Sequence, residues 1–310
     1  MTQIGIMIEG SRGLNWARWK RLLQTAEDCG YQSVFRSDHF TNPAGEDDQD
    51  SLELWMSLAY AASHTGSLEF GSLVAPVTFR HPSMQARYAA AIDDLSGGRL
   101  VLGMGAGWQA REHQRFGLPF YDFATRYQML EEALQVTKLL LRNETPSSFQ
   151  GQHFQLEEAI LLPRPARPGG PPILIGGNGP RRTLPLVAKY ADEWNADALD
   201  LDTYRARRAT LDDYLAAEGR PADDIKYSLM TRVIYRPTQA QLDTFLHESG
   251  LGDEEVAAGK MIVGTAAEVV DQIGARAEAG VERIMLRWLE LDDMANLELL
   301  ARDVLKQFEV

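Results

Sequence analysis

Short apolar runs alternate with longer amphipathic segments along most of the chain. Runs typical of buried strands occupy residues 4–8, 33–38, 68–74, 99–104, 173–175, 193–196, 227–235 and 283–288. Apolar residues recur at helical spacing in residues 14–29, 52–64, 83–95, 127–141 and 184–190. Strands that alternate with helices in this way predict a parallel sheet joined by crossover helices.

Glycine marks several joins between a helix and the next strand. Gly30, Gly66, Gly97 and Gly280 each stand between a helical pattern and an apolar run, where the end of a helix favours a left-handed residue. About eight such units predict an α/β fold of the TIM (β/α)8 barrel type, with residues 1–310 as a single domain. An open doubly wound sheet is the alternative.

Three polar or irregular segments interrupt this pattern. Residues 42–50 are predicted to form an exposed loop. Residues 145–171 are rich in Pro, Gly, Gln and Phe, and residues 237–260 contain one predicted acidic helix and three glycines. The last two predict insertions at the C-terminal face of the barrel, the first of them over its mouth, where long loops act as lids or binding walls.

The net charge of −13 argues against a nucleic-acid surface, because binding to a phosphate backbone needs clustered Lys and Arg. An anionic cofactor needs only a local positive site and is still allowed. The single cysteine, Cys29, excludes a disulfide within one chain and fits a reducing compartment. Because no signal peptide or apolar stretch of about 18 residues is found, we expect a soluble, cytoplasmic protein without membrane contact.

A glycine-rich turn follows the run at 173–175 and precedes a helical pattern. The turn reads Gly176, Gly177, Asn178, Gly179, and Arg181 follows in the first helical turn. Outward N–H groups at a helix N-terminus can hold a phosphate that glycines allow to approach. The alternative is a tight turn that needs positive φ and binds nothing.

Barrel enzymes place their active site at the C-terminal ends of the strands, so polar residues just after each run are the candidates. They are Glu9, Asp38, His39, Arg80, His81, Trp108, Gln109, Asn178, Asn195, Asp197, Arg287 and Trp288. Asp38 and His39 stand out, because a carboxylate beside an imidazole can fix its tautomer or raise its pKa. We expect this pair to face solvent at the mouth, as a general acid or a cofactor anchor.

Other chemistries find no support in the motifs. No two of the six histidines share ligand spacing on one predicted helix, so no metal site is predicted. Neither a G-x-S-x-G elbow nor a P-loop lysine motif is present, which disfavours a hydrolase of that type and a nucleoside triphosphatase.

A series of short motifs resembles the bacterial luciferase-like superfamily of flavin and deazaflavin oxidoreductases, most of all its coenzyme F420-dependent branch. The motifs follow one another in order over nearly the whole chain: residues 37–40 (SDHF), 71–74 (GSLV), 80–82 (RHP), 95–99 (LSGGR), 103–108 (GMGAGW), 126–127 (RY), 172–177 (PILIGG) and 194–195 (WN).

The resemblance implies a barrel that is commonly dimeric and holds a flavin-like ring at its top, with the cofactor phosphate at the glycine loop. Asp38 and His39 then lie against a deazaflavin. Trp108 either faces the substrate or packs against the barrel rim. Leu73 and Val74, preceded by Ser72, form a non-proline cis peptide behind the ring. The implied cofactor contacts are Asp38, His39, Ser72, Leu73, Val74, Gln109, Gly176, Gly177, Asn178, Gly179 and Arg181.

One departure concerns the F420-dependent sugar-phosphate dehydrogenases, which carry a catalytic Glu after strand four where this chain has Ala106. Glu112 and His113 lie one or two helical turns beyond and could act from there, but a salt-bridged surface pair is the expectation. The first hypothesis is an F420-dependent oxidoreductase that transfers a hydride between the deazaflavin C5 and a small organic substrate, as a homodimer. The alternatives are a reduced-FMN monooxygenase and a non-catalytic flavin- or deazaflavin-binding protein.

Overall fold

Eight parallel strands close into a barrel in the computed structural model, which describes residues 2–43 and 49–308. In chain order the strands are β1 (Gln3–Ile8), β2 (Ser33–Arg36), β3 (Glu69–Ser72), β4 (Ala75–Pro76), β5 (Leu100–Gly105), β6 (Ser147–Gln150), β7 (Gln155–Ala159), β8 (Ile173–Gly176), β9 (Glu193–Asp197), β10 (Lys226–Tyr235), β11 (Ile262–Gly264) and β12 (Arg283–Trp288). The barrel order is β1, β2, β3, β5, β8, β9, β10, β12. Pairing of β12 with β1 closes it, which confirms the predicted barrel and excludes the open sheet.

Helices surround the barrel. They are α1 (Trp16–Asp28), α2 (Leu54–His64), α3 (Pro82–Leu95), α4 (Ala110–Arg115), α5 (Phe123–Arg142), α6 (Thr183–Tyr190), α7 (Leu201–Ala217), α8 (Gln239–Ser249), α9 (Asp253–Ala257), α10 (Ala266–Glu278) and α11 (Met294–Val304). Several begin at a residue whose side chain accepts a first-turn N–H, as Asn15, Asp122 and Asp200 do. Such caps satisfy backbone donors that the helix leaves free.

The core has two layers. One large apolar cluster fills the space between the strands and the helices, and a smaller one inside the barrel contains Met7, Phe35, Leu73, Val101, Leu174, Met230 and Met285. At the N-terminal end of the strands, Arg283 is buried and its Nη2 lies 2.7 Å from Glu69 Oε2 and 3.7 Å from Glu193 Oε2. This ion cluster occupies the N-terminal end of the barrel, so the C-terminal end is the one open to ligands.

The segment between α5 and β8 runs along the outside of the helical layer. It leaves α5 and re-enters the barrel at the N-terminal end of β8, and its hairpin β6–β7 turns back along α5. There the carboxylate of Glu132 accepts the N–H groups of Gln152, His153 and Phe154 at 2.8 to 3.0 Å. Residues 145–171 therefore pack along α5, and they reach the rim of the barrel mouth where the ring of Phe154 meets that of His81 at 5.2 Å between centroids.

The segment after β10 forms two helices instead of the single acidic helix predicted. Helix α8 ends at Gly250, whose φ of 67° is left-handed, and α9 follows after Gly252. A positive φ ends a helix at glycine with little cost. The loop predicted at residues 42–50 lies partly outside the described residues.

Candidate active site

His39 is held by Glu112 at the C-terminal end of the barrel. Its Nδ1 lies 3.0 Å from Oε1 of Glu112, and the N–H of Phe40 donates to the other carboxylate oxygen at 2.9 Å. Glu112 belongs to α4 and is 1% exposed. With Nδ1 engaged by a carboxylate, the imidazole has a fixed orientation and Nε2 is the nitrogen left for a ligand.

The charge of Glu112 also sets the protonation of His39. Burial disfavours the imidazolium, but the hydrogen bond and the charge of Glu112, with smaller effects of Glu9 and Asp38, outweigh it and raise the pKa of His39. The His39 side chain is only 13% exposed, so the expectation that it faces solvent is wrong. Trp108 is 62% exposed, and its ring meets that of His39 edge-on at 5.5 Å between centroids.

Asp38 pairs with Arg80 and not, as the sequence predicts, with His39. Its carboxylate is buried and accepts hydrogen bonds from the guanidinium of Arg80, which also reaches Glu53 Oε1 at 2.9 Å. Burial raises the pKa of Asp38, and the nearby Arg80 and Arg36 oppose that shift. The carboxylate that fixes the tautomer of His39 is therefore Glu112 and not its neighbour in sequence.

The prediction that Glu112 and His113 form a salt-bridged pair on the surface is also wrong. Both residues are buried: Glu112 binds His39, and His113 contacts the Gln109 carbonyl at 2.8 Å through Nδ1 and the Thr78 hydroxyl at 2.8 Å through Nε2. The six residues of α4 are nearly all polar, so no apolar periodicity reveals which side faces inward.

One side of the barrel mouth has an apolar floor. The peptide bond between Leu73 and Val74 is cis, as the resemblance implied. A Cβ on Gly105 would collide with Val74 Cγ2, and one on Gly176 would come within 3.2 Å of Val74 Cγ1. The glycines of β5 and β8 thus make room for Val74.

Ser72 and Gln109 lie below this surface. The Ser72 hydroxyl donates to the Gly103 carbonyl at 2.8 Å and accepts from its N–H at 3.0 Å, so Ser72 joins β3 to β5 and does not reach a ligand. Gln109 is buried and donates to the Thr41 carbonyl at 3.0 Å. Its Oε1 has no hydrogen-bond partner in the described part of the chain and can accept from a ligand N–H.

Charged side chains form the other side of the mouth. Glu9, Asp197, Arg232 and Arg287 follow the inward-facing positions Met7, Asn195, Met230 and Met285, two residues further along β1, β9, β10 and β12. Arg287 Nη1 lies 3.6 Å from Glu9 Oε1. Burial raises the pKa of Asp197, and Arg287 opposes it.

The glycine loop begins where β8 ends. Gly177 has φ of 124°; its N–H donates to the Asn195 carbonyl, and its carbonyl accepts from Trp194 Nε1, both at 2.9 Å. The Asn178 side chain donates to the Asp197 carbonyl at 2.7 Å and accepts its N–H at 2.9 Å. Asn178 therefore ties the loop to β9, so any phosphate contact from it comes from the backbone.

This loop and floor fit a cofactor with a phosphate and a planar ring. Arg181 is exposed two residues before α6. The N–H groups of Thr183 and Leu184 donate to the Gly179 carbonyl, so they are not open to a phosphate. A guanidinium, the positive end of a helix and glycines without side chains suit an oxyanion. The apolar floor formed by Leu73 and Val74 suits a ring.

The structure gives no support for a membrane-spanning helix or a metal site in the residues that it describes. Within residues 2–43 and 49–308, no helix is long and apolar enough to cross a membrane. Over the same residues, no group of three or more His, Cys, Asp or Glu side chains is arranged to hold a metal ion.

Comparison with known proteins identifies relatives of this chain. The family model for luciferase-like monooxygenases matches residues 1–248. Similar proteins include an F420-dependent hydroxymycolic acid dehydrogenase of Mycobacterium tuberculosis, 33% identical over 58% of this chain, and an F420-dependent glucose-6-phosphate dehydrogenase of Microbacterium testaceum, 30% identical over 68%. The matches span 48% and 62% of those two proteins. Pyrimidine monooxygenase RutA of Allorhizobium ampelinum is 32% identical over 62% of this chain and 55% of its own.

Solved structures share the fold. An F420-dependent secondary alcohol dehydrogenase, in complex with an F420-acetone adduct, superposes with a TM-score of 0.85 at 20% identity over 97% of each chain. The coenzyme F420 dependent tetrahydromethanopterin reductase of Methanopyrus kandleri gives 0.83 at 20% identity over 99% of this chain and 100% of its own. At these identities the likeness concerns the barrel itself.

Proposed function

Because the chain belongs to the luciferase-like monooxygenase family, we propose that it is an F420-dependent oxidoreductase that transfers a hydride between the deazaflavin C5 and a small organic substrate. The observation that carries the proposal is the buried Glu112 that holds His39 beside an apolar, glycine-lined floor. The F420-dependent relatives support the choice of cofactor.

The chain's own residues divide the work of binding. Arg181 and the backbone N–H groups of Asn178 and Gly179 would hold the cofactor phosphate, and Gly176 and Gly177 would leave room for it. Leu73 and Val74 would support the ring from behind. When bound, the deazaflavin supplies the site that accepts or donates the hydride. The floor orients that ring and excludes water from beneath it.

His39 handles the proton. In substrate oxidation, Nε2 accepts the substrate proton while the hydride leaves the substrate carbon; in reduction, Nε2 returns the proton. Glu112 stabilises the resulting imidazolium, since its carboxylate lies 3.0 Å from Nδ1. Asp38, bound to Arg80, positions the loop that carries His39, and Trp108 forms an aromatic wall beside its ring.

A reduced-FMN monooxygenase is the second candidate. The similarity to pyrimidine monooxygenase RutA favours it, and FMN also presents a phosphate that the glycine loop can bind. A purely binding role is less consistent with the site. Burying the carboxylate of Glu112 against His39 costs free energy, and a site that only binds a cofactor does not require this pair.

Two further parts of the proposal concern assembly and location. Trp16 on α1, Met56 on α2 and Met84 on α3 expose 41% to 55% of their surface on neighbouring helices, which supports a homodimer through this face. The single free cysteine, Cys29, is compatible with a cytoplasmic protein that acts on a small-molecule substrate.

Cofactor choice can be tested by titrating the purified protein with F420 and, separately, with FMN while following fluorescence quenching. We expect saturable binding that is tighter for F420 and that Arg181→Gln weakens, while Arg205→Gln, an exposed arginine on α7, leaves it unchanged. Tighter binding of FMN, with oxygen consumption by the reduced form, would favour the monooxygenase.

A further inference from the structure

The arginine of the RY motif, Arg126, is buried beside the barrel mouth and has no part in the chemistry proposed above. It lies in the first turn of α5 and is 8% exposed. Its Nε donates to the Gly107 carbonyl at 3.1 Å, and its Nη1 donates to the Tyr121 carbonyl. Its guanidinium also lies over the Phe120 ring, 4.3 Å from the centroid. These three contacts all join Arg126 to the chain that precedes α5.

The two carbonyls that Arg126 binds lie on either side of α4. Gly107 comes three residues before this helix and Tyr121 six residues after it, so the guanidinium holds both ends of residues 107–121, the α4 segment. The chain turns at Gly107 and Gly117, whose φ angles of 74° and 68° are left-handed. A helix of six residues is not stable by its own hydrogen bonds. The position of α4 therefore depends on contacts from outside the helix.

A row of aromatic rings leads from Arg126 to the loop that carries His39. Neighbouring centroids in the row lie 4.3 to 4.9 Å apart. His113 belongs to α4 itself and is buried, so the row passes through the helix. It ends one residue after His39. In order from the guanidinium, the rings are those of Phe120, His113, Phe79 and Phe40.

The carboxylate of Glu112 lies between α4 and the end of β2. It binds Nδ1 of His39 and the N–H of Phe40, the last residue of the row. Glu112 belongs to α4, whereas both donors belong to the loop after β2, so a shift of the helix moves the carboxylate away from them. The hydrogen bond to His39 thus depends on what holds α4 in place, and Arg126 binds both ends of its segment.

We propose that Arg126 is a positioning residue, which holds the α4 segment so that Glu112 keeps its hydrogen bond to His39. The inference rests on the proposed function for the role of His39 in turnover, but the contact itself requires no cofactor. Burial lowers the pKa of His39, and the charges that raise it are those of Glu112, Glu9 and Asp38. Arg126 therefore acts on the imidazole through the position of Glu112.

The sign of the change in pKa separates this role from an effect of charge. Loss of a nearby cation would by itself raise the pKa of His39, because a positive charge disfavours the imidazolium. Displacement of Glu112 lowers that pKa, because burial then meets less opposition. Glu9 and Asp38 lie outside the α4 segment, so their charges stay in place. We therefore expect a lower pKa in Arg126→Gln, and also in Arg126→Lys, which keeps the charge but lacks the fork of donors.

The test is an NMR titration of the His39 ring in the cofactor-free protein. Arg126→Gln and Arg126→Lys should both lower the pKa of His39, by at most the shift that Glu112→Gln produces. In a chain that already carries Glu112→Gln, neither substitution should lower it further, because two changes that act through one contact are not additive.

Arg164→Gln is the matched control. Arg164 also donates to two backbone carbonyls, those of Leu140 and Leu141 at 2.8 and 2.7 Å, but at the far end of α5. Its replacement should leave the pKa of His39 unchanged. If Arg126→Gln fails to fold, Arg126→Lys carries the test, since it keeps the charge and most of the side chain.

Four results would overturn the proposal. They are an unchanged pKa of His39 in the Arg126 variants, a raised pKa in Arg126→Gln, a further decrease in the chain with Glu112→Gln, and an equal decrease in Arg164→Gln. Failure of F420 to bind would contradict the proposed function and leave this titration readable.

Discussion

The orientation and the pKa of the His39 imidazole depend on the carboxylate of Glu112, 73 residues further along the chain. Its role as the proton-transferring group rests on one geometric fact: Nδ1 is engaged by Glu112 and Nε2 is not engaged by any described residue. The same contact means that removing the imidazole leaves Glu112 buried with fewer partners. Variants of His39 therefore have to preserve a donor at that position.

His39→Asn meets this condition, because its side-chain amide can donate to Glu112 where Nδ1 does now, while nothing replaces Nε2. We expect turnover to fall by about 10²–10⁴-fold, the usual worth of a general acid or base, with an unchanged melting temperature. Steady-state kinetics and thermal denaturation measure the two effects. His64→Ala, at the exposed end of α2, is the control and should change neither; unchanged turnover in His39→Asn would remove this residue from the chemistry.

Glu112→Gln should lower the pKa of His39. Glu112 now raises that pKa, and a glutamine has no charge and only one oxygen to serve both His39 and the Phe40 N–H. In the oxidising direction His39 must be neutral, so the rising limb of the rate against pH should move to lower pH. The falling limb in the reducing direction should move the same way, because it follows the same group.

NMR titration of the His39 ring in the cofactor-free protein gives this pKa independently of turnover. Glu144→Gln, an exposed acid beyond α5, should leave it in place. A titration curve identical in Glu112→Gln and in the wild type would show that Glu112 does not control the imidazole.

The sequence pattern identifies His39 but not the carboxylate that binds its imidazole. The pattern favours Asp38 as the partner because it is next to His39 in sequence. The contact with Glu112 depends instead on how α4 is placed over the end of β2. A short, almost wholly polar helix offers no apolar stripe from which that placement follows.

At the scale of elements, packing of β3 against β5 and β8 shapes the apolar floor. Val74 occupies the space that side chains at Gly105 and Gly176 would need. The glycine motifs of this region can be read from the sequence as turns or close approaches, but which side chain approaches them cannot. That depends on the register of strands far apart in the chain.

Gly105→Ala should destabilise the fold by about 1–3 kcal/mol, the range for overpacking in a tight core. The clash is with Val74 Cγ2, while Val74 Cβ would be 3.6 Å away, so Val74→Ala in the same chain should recover most of the loss. Gly103→Ala is the matched control, since its Cβ would meet the Ser72 carbonyl, which no change at Val74 removes. Denaturant unfolding of the two double variants measures the difference, and equal recovery in both would contradict this packing.

At the scale of the whole molecule, the barrel follows from the sequence with few errors. Eight apolar runs, each followed by polar residues, mark the eight barrel strands. The pairing of β1 with β12 that closes the barrel is not visible in this pattern, which also allows an open sheet. The course of the two insertions is harder to predict from the sequence. Residues 145–171 run back along α5 because Glu132 binds their backbone, and an exposed hairpin held by one carboxylate has no apolar pattern that predicts its course.

The dimer proposed through α1, α2 and α3 gives a prediction at this scale. Light scattering during size exclusion should give twice the 34.6 kDa of one chain, and Met56→Glu with Met84→Glu should give a single chain, because two buried unpaired charges cost more than the contact gains. Leu95→Glu, equally exposed at the end of α3, is the control. A wild-type protein that runs as a single chain would remove the dimer from the proposal.

Oxygen-independent turnover with F420 tests the central claim most directly. The protein, saturated with F420 under nitrogen, is mixed with a panel of alcohols and ketones, with and without a carboxylate or phosphate, and the oxidation state of the cofactor is followed by its absorbance. The account predicts a hydride transfer that proceeds without oxygen and falls by about 10²–10⁴-fold in His39→Asn. Turnover that requires oxygen and FMN, or that persists undiminished in His39→Asn, would contradict it.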